Sequence, residues 1–501
     1  MNPQLDELKT RLRDISALNN AAALLNWDQL TGMPAGGAEA RGFQQAVLAR
    51  IATEKSVDPA LGKLIDDLLP LAESLPADSD DACLIRGAKR DFDKSQHVPP
   101  EFVARAYQQI ARSYQAWAEA RPNNDYAKVL PELERNLELT REYSAFFPGA
   151  AHIADPLIDD SDAGMQAADI QRVFAALRAE LVPIVQAITS QPPADDACLK
   201  QHFPAAAQLE FGRKVAAAIG YDFNRGRLDL SPHPFTTRFS IGDVRITTRV
   251  REDDLGDSLF SIIHEAGHAL YEQGISTALE GLPLASGASS GVHESQSRTW
   301  ENLVGRSLPF WQHFYPELKA AFPGLFDAVP LETFYRAINK VEPSLVRTDA
   351  DEVTYNLHVM IRFDLELALL EGKLALRDLP DAWNERYRSD LGITPPDNRN
   401  GCMQDVHWFG GFVGGAFQGY TLGNILSAQF MEKALQAHPG IPEEMAQGKF
   451  DTLRGWLTDN LYTHGRKFLP NELVRRVTGG DIEIAPYIRY LKNKFGALYS
   501  L

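Results

Sequence analysis

Residues 257–274 read DSLFSIIHEAGHALYEQG, and the assignment of this chain turns on them. The stretch opens on an acidic residue and closes on a glycine, as an ordinary helix does. Within it lies HEAGH. His264 and His268 stand four residues apart, so they project from one helical face one turn apart and both imidazoles can converge on one ion. Glu265 sits beside the first of them, where its carboxylate can reach a water on that ion. A pair of partly buried histidines beside an exposed glutamate has the same spacing, so the motif alone leaves that bland reading open.

A catalytic zinc site takes three protein ligands and keeps one position free. Twenty-five residues beyond His268, past the Gly- and Ser-rich loop SGASSG (Ser286 to Gly291), comes HESQSRTWEN. Glu294 is expected to open a helix there and to be the third ligand. His293 rivals it, and Glu301 is a weaker rival. Glu294 would serve equally as a carboxylate stabilised by the dipole of a helix N-terminus. Arg298, one turn on, either holds Glu294 or forms a solvated helical pair.

On the other side of HEAGH the sequence changes character. In RLDLSPHPFTTRFSIGDVRITTRV (Arg227 to Val250) β-branched and aromatic residues concentrate and alternate, and Ile241-Gly242-Asp243 reads as a hairpin turn. Elsewhere the pattern is helical: Leu5, Leu8 and Leu12 share a face, as do Phe102, Ala106 and Ile110. Asp169 to Ile188 continues it, with Pro183 expected to kink or end the helix. Loops are expected at Pro70 to Asp81, at Pro99 and Pro100, and at Gln191 to Asp196. The fold class is therefore mainly α, with a small antiparallel β-sheet next to the zinc helix.

The 501 residues, 44% hydrophobic and 23% charged, are ordinary for a globular chain, and the length permits a large core. A net charge of -17 with no compensating Lys/Arg block disfavours nucleic acid and anionic membrane surfaces as partners. Cys83, Cys198 and Cys402 are scattered, which suits a reducing compartment. No secretion signal is apparent at the N-terminus, and no apolar run is long enough to span a membrane, so the expected location is cytoplasmic.

Several separate stretches resemble the carboxypeptidase Taq family of metallocarboxypeptidases: LNWDQLTGMPAGGAEAR (Leu25 to Arg41), HPF (His233 to Phe235), DVRIT (Asp243 to Thr247), HEAGH, HESQ (His293 to Gln296), VRTDADEVTYNLH (Val346 to His358), GCMQDVHW (Gly401 to Trp408) and YTLGN (Tyr420 to Asn424). HExxH is shared by many unrelated peptidases; HESQ at this distance together with GxxQDxHW is far more specific. The resemblance implies a single helical peptidase domain over 1–501 with a deep groove, 1–225 forming a helical lobe and groove wall and 226–501 the catalytic lobe. It implies removal of single residues from peptide C-termini, a divalent metal (usually zinc, with cobalt as a substitute), and a homodimer.

Residue by residue, it implies that Glu294 is the third ligand and that Arg347 binds the substrate's free carboxylate. It also implies that His407 and Tyr420 assist at the scissile carbonyl and that His233, Asp243 and Arg245 lie on the substrate side. A planar guanidinium suits a terminal carboxylate, though a salt bridge from Arg347 to Asp349 or Asp351 is the plainer reading. A His or Tyr donor suits a developing oxyanion; otherwise His407-Trp408 is a packed helix and Tyr420 a core tyrosine. Asp243 and Arg245 line the groove or support the ligands, or else belong to an edge strand with polar residues outward. Two positions depart from the family pattern: Val346 replaces Ile or Asn, and FQGY (Phe417 to Tyr420) replaces an FPxY-like run. Losing Pro and gaining Gly is expected to loosen the backbone that carries Tyr420.

The expected activity is a zinc metallocarboxypeptidase with Glu265 as general base. The competing readings are an endopeptidase or dipeptidyl carboxypeptidase on the same core, and a catalytically silent peptide-binding protein with a structural metal. The base glutamate in HEAGH speaks against the last.

Overall fold

The computed structural model describes residues 2–501. Helices dominate from end to end, and they surround one three-stranded sheet. The first helix, Pro3–Thr31, starts where the Asn2 side chain accepts from the Gln4 and Leu5 amides, with Pro3 in the first turn, where no internal N–H is needed. Its Leu5, Leu8 and Leu12 are buried with Leu61, Ile65 and Leu68 of helix Pro59–Ser74 and with Ile85 of helix Asp80–His97. This smaller core also takes in Ile241, Ile275 and Leu284, so the N-terminal helices pack on the turn and loops flanking HEAGH. A larger core spans Phe102 to Tyr499.

Two helices continue past a proline expected to interrupt them. Pro70 lies inside Pro59–Ser74 and Pro183 inside Ala167–Thr189. One internal N–H is missing at each, but the apolar stripe runs on through the proline (Leu177, Leu181, Val185 and Ile188), and its burial keeps the helix whole. The loop expected at Pro70 to Asp81 is confined to 75–79, and the one at Pro99 and Pro100 to Val98 and Pro99, with Pro100 opening helix Pro100–Ala120.

The sheet comprises β1 (Leu228–Leu230), β2 (Thr236–Ser240) and β3 (Asp243–Thr248), in the order β1-β3-β2. β2 and β3 are the expected antiparallel hairpin. The sheet as a whole is mixed, because β1 joins β3 in parallel, Leu228 opposite Ile246. Pro232 and Pro234 explain the switch: neither can donate to a ladder, so Ser231–Phe235 leaves β1 and crosses to the far edge before pairing resumes. β3 is consequently the central strand, and Asp243 and Arg245 do not sit on an edge.

The HEAGH helix runs Leu255–Gly274, two residues longer at its start than the sequence suggested, because the Asp254 carboxylate accepts from the Gly256 amide. It is buried nearly all round, between the sheet and the neighbouring helices. Helix Ser290–Arg298 is capped by Ser289 and continues into a π-helical turn, Thr299–Val304. Glu294 thus lies in its second turn and does not open it. Among the described residues, no helix is long and apolar enough to cross a membrane, and the three cysteines are free.

Candidate active site

His264 and His268 face Glu294 where two helices cross closely. Gly267, between the histidines, makes the approach possible: a β-carbon there would fall 2.7 Å from the Gln296 carbonyl oxygen. Glu294 Oε2 lies 3.7 Å from His264 Nε2 and 3.5 Å from His268 Nε2. One donor atom from each residue falls within 4.8 Å of the other two.

The surroundings turn these atoms inward. His264 Nδ1 is 2.9 Å from Glu301 Oε2. His268 Nδ1 is 2.6 Å from His293 Nδ1, and His293 Nε2 is 2.8 Å from Glu272 Oε1. A chain in which His268 Nδ1–H donates to His293, and His293 Nε2–H to Glu272, satisfies every contact and leaves the His268 Nε2 lone pair free. Burial pushes His268 down to about 4, which keeps it neutral. Glu294 Oε1 accepts from Arg298 Nε at 2.7 Å. Burial alone would raise Glu294, yet Arg298 and the imidazoles hold it well below the usual carboxylate range. Burial opposes a charge on His264, but Glu294 and Glu301 outweigh it and raise that imidazole above its ordinary range, so a cation there takes the place of a proton. Two imidazoles and one anionic carboxylate, each oriented from behind, form a donor set suited to a divalent cation of intermediate softness. His293 and Glu301, the rivals for third ligand, support the histidines from behind, and Arg298 is a buried clamp on Glu294 and Glu301.

Glu265 is buried beside this cluster. Its Oε2 accepts from Thr236 Oγ1 at 2.6 Å, and burial raises its carboxyl above the ordinary range. β2 therefore aims the carboxylate: the same hydroxyl lies 3.0 Å from the Glu265 carbonyl oxygen, so its one proton is shared between the two acceptors.

A second group of residues gathers at Asp405. Its Oδ2 accepts from Arg347 Nε at 2.9 Å, and its Oδ1 meets His407 Nδ1. Arg347 Nη1 donates to the Tyr355 hydroxyl at 2.8 Å, and Nη2 has no hydrogen-bond partner among the described residues. Asp349 and Asp351 do not pair with Arg347; Asp351 caps the turn before helix Tyr355–Leu370. The Tyr420 hydroxyl is 3.4 Å from His407 Nε2, long for a hydrogen bond. In the FQGY run the glutamine side chain is anchored. Gln418 Nε2 donates to Ser161 Oγ and to the Gly415 carbonyl, both at 2.8 Å, and Tyr420 stands in the first turn of helix Gln418–Ala437.

Tyr355 joins the two groups. The Arg298 guanidinium lies 4.4 Å from the centre of its ring, while its hydroxyl takes Arg347. Glu294, Arg298, Tyr355 and Arg347 are thus one contiguous chain of contacts.

Three other candidates stand apart. His233 is exposed and offers its carbonyl to Ser231 Oγ. Asp243 and Arg245 pair bidentately with each other at 2.8 Å, and Arg245 stacks on Trp27 and Phe239. Arg245 is in register with Thr237, so it occupies the sheet face opposite Thr236, and its hydrogen bonds reach none of the three converging residues. Asp405, Tyr355, Thr236 and Arg362 escaped the sequence reading. Asp405 alone had a local signal, two residues before His407; the others become neighbours only through tertiary packing.

The family model "Carboxypeptidase Taq (M32) metallopeptidase" matches residues 7–495. The chain belongs to the carboxypeptidase Taq family. Among curated relatives, thermostable carboxypeptidase 1 of Thermus thermophilus is 41% identical over 97% of both chains. Carboxypeptidase 1 of Bacillus subtilis is 35% identical over 98% of this chain and 97% of its own. The crystal structure of an M32 carboxypeptidase from Deinococcus radiodurans superposes with a TM-score of 0.97, at 46% identity and full coverage of both chains. As an M32 member the chain is a metallopeptidase of the carboxypeptidase type, and its helical architecture with a small sheet is that of its structural neighbours.

Proposed function

We propose that the protein releases single amino acids from peptide C-termini, with His264, His268 and Glu294 holding zinc (or cobalt in its place) and Glu265 acting as general base. The observation that carries this reading is the run of contacts from Glu294 through Arg298 and Tyr355 to Arg347, whose Nη2 has no hydrogen-bond partner among the described residues. An anion anchor is thereby tied rigidly to a cation site, which is what recognition of a terminal carboxylate one residue from the cleaved bond requires.

When bound, the ion supplies a Lewis acid that lowers the pKa of water and polarises the carbonyl. The residues do the rest. Arg347 holds the substrate carboxylate through its free Nη2. Glu265, raised by burial and aimed by Thr236, takes a proton from the attacking water and returns it to the leaving amine as the C–N bond breaks. With Nδ1 turned to Asp405, His407 presents Nε2 beside the Tyr420 hydroxyl, and the two face the carbonyl oxygen on which the oxyanion develops.

A cavity of about 480 Å3 next to His407, walled by Leu157, Trp408, Phe412 and Phe417, has room for a substrate side chain. His233, Asp243 and Arg245 would contact the peptide farther along a groove between a wall built from 1–225 and the catalytic part, 226–501. Homodimeric assembly and a cytoplasmic location belong to the same proposal; its partners are peptides with a free C-terminus and not nucleic acid.

The test is mass spectrometry of one peptide, as free acid and as C-terminal amide, incubated with zinc-loaded and chelated protein. Stepwise loss of one residue from the acid alone, and only with metal, supports the reading. Equal cleavage of both forms would indicate an endopeptidase, and loss of residue pairs a dipeptidyl carboxypeptidase; either removes the role given to Arg347.

A further inference from the structure

The carboxylate of Asp405 has two oxygens and spends them on two different tasks. Oδ2 receives Arg347 Nε and Oδ1 faces His407 Nδ1. Its neighbour Gln404 fixes the backbone of the same arginine: Gln404 Oε1 accepts from the Arg347 amide at 2.9 Å, and Nε2 donates to the Leu345 carbonyl at 2.8 Å. The loop carrying Arg347 is therefore tied by main chain and side chain to two adjacent residues 57 and 58 positions downstream.

Behind Asp405 lies Arg362, which is 1% exposed. Its guanidinium stands 4.6 Å from the ring centres of Trp408 and Phe417, and neither Nη finds a hydrogen-bond acceptor among the described residues. The nearest opposite charge is Asp405 Oδ2, 3.9 Å from Nη2. A buried cation without hydrogen bonds is costly unless its charge is matched, and Asp405 matches it. The carboxylate is thus fixed from the side away from the site by a group that cannot leave its aromatic cage.

Resting on the reading that Arg347 takes the substrate carboxylate and His407 the carbonyl, we infer that Asp405 is a positioning residue that sets the spacing between Arg347 and His407, braced from behind by Arg362. A terminal carboxylate and the carbonyl one residue inward are separated by a single residue in any peptide, which confines their distance to a narrow range. The two protein groups meeting them must be held at a matching distance, and one carboxylate bonded to both does this directly.

Asp405→Asn keeps the shape and the oxygen that accepts from Arg347 but turns the other position into an amide donor facing His407. The zinc-loaded variant is expected to retain metal and helical content. Its kcat should fall about 100-fold and its KM rise about tenfold, and its preference for free acid over amide should shrink at least tenfold. A purely structural role would lower the active fraction and leave KM and the acid-to-amide ratio untouched; that outcome overturns the inference. A second measurement uses wild-type holoenzyme: a strongly downfield proton resonance, lost in His407→Gln, should report His407 Nδ1–H bonded to Asp405, and its absence overturns the inference even if the Asn variant does not fold. Arg347→Met separates the two levels. If it keeps the acid preference, the carboxylate reading falls and this inference with it. If it loses the preference while Asp405→Asn keeps it, only the inference falls.

Discussion

Gly423 faces Glu294 across a helix contact so close that a β-carbon on Gly423 would lie 2.5 Å from Glu294 Cγ. Four residues earlier Gly419 meets Ser290 in the same way, at 3.1 Å, so helix Gln418–Ala437 presents a glycine seam to the helix that carries Glu294. Closeness here positions a proposed ligand. Gly423→Ala must push either the helix or the glutamate, and overpacking of this kind costs about 1–3 kcal/mol. The expected outcome is a folded protein whose zinc affinity drops at least about tenfold, as changes beside metal ligands do. Chelator competition measures it, and unchanged affinity would mean that the seam does not set the ligand.

Glu265→Gln should separate binding from turnover. The glutamine keeps an oxygen for the Thr236 hydroxyl and cannot accept a proton. Metal content should stay stoichiometric while kcat falls about a thousandfold, the usual scale for losing a general base. Residual activity within tenfold of wild type would remove Glu265 from the proton path.

The local parts of this arrangement were legible in the sequence and the non-local parts were not. HEAGH is a helix-period pattern, so its geometry follows from residue spacing, and the turn at Ile241–Gly242 follows from alternation on either side. β1 was missed because its partner β3 lies past an intervening crossover, and parallel pairing leaves no turn signature. Pro183 misled because a proline's cost is local while the burial that offsets it is tertiary. His293 and Glu301 were recognised as metal-site residues but not in their positions, since a histidine or glutamate beside a ligand and one that is a ligand look alike until the helices are packed. For Arg347 the plainer alternative to carboxylate binding, a salt bridge to Asp349 or Asp351, looks only to near neighbours, whereas its carboxylate partner is 58 residues away.

Glu301 offers a test of the support behind the histidines. Its Oε2 accepts from His264 Nδ1 and also from Arg298 Nη1 at 3.0 Å. Burial opposes its charge, but Arg298 and His264 bring it down to about 2, so it is anionic at any working pH. Glu301→Gln removes that charge while keeping an acceptor for His264. Zinc affinity is expected to weaken about 10–100-fold, with kcat of the saturated enzyme changed far less. Equal loss in both would place Glu301 in the reaction itself.

Glu366 allows a stability prediction independent of catalysis. It is 1% exposed; Oε1 accepts from Trp408 Nε1 at 2.6 Å and Oε2 has no partner. Burial raises its carboxyl from 4.5 to about 7, with Trp408 and Arg362 only partly opposing the shift. Between those values the folded protein holds a proton that the unfolded chain has released, so this group lowers stability as pH rises through the window. Below it both states are protonated and no cost arises; above it the full cost is felt. At about 1.4 kcal/mol per unit, the total is about 3 kcal/mol. Glu366→Gln keeps the acceptor for Trp408 and has nothing to ionise. Denaturant melts at pH 4.5, 6 and 8 should show the variant gaining on wild type at each step, and other titrating groups cancel in the difference. A variant less stable than wild type at pH 8 would mean that the ionised carboxylate is matched by Arg362 and carries no net cost.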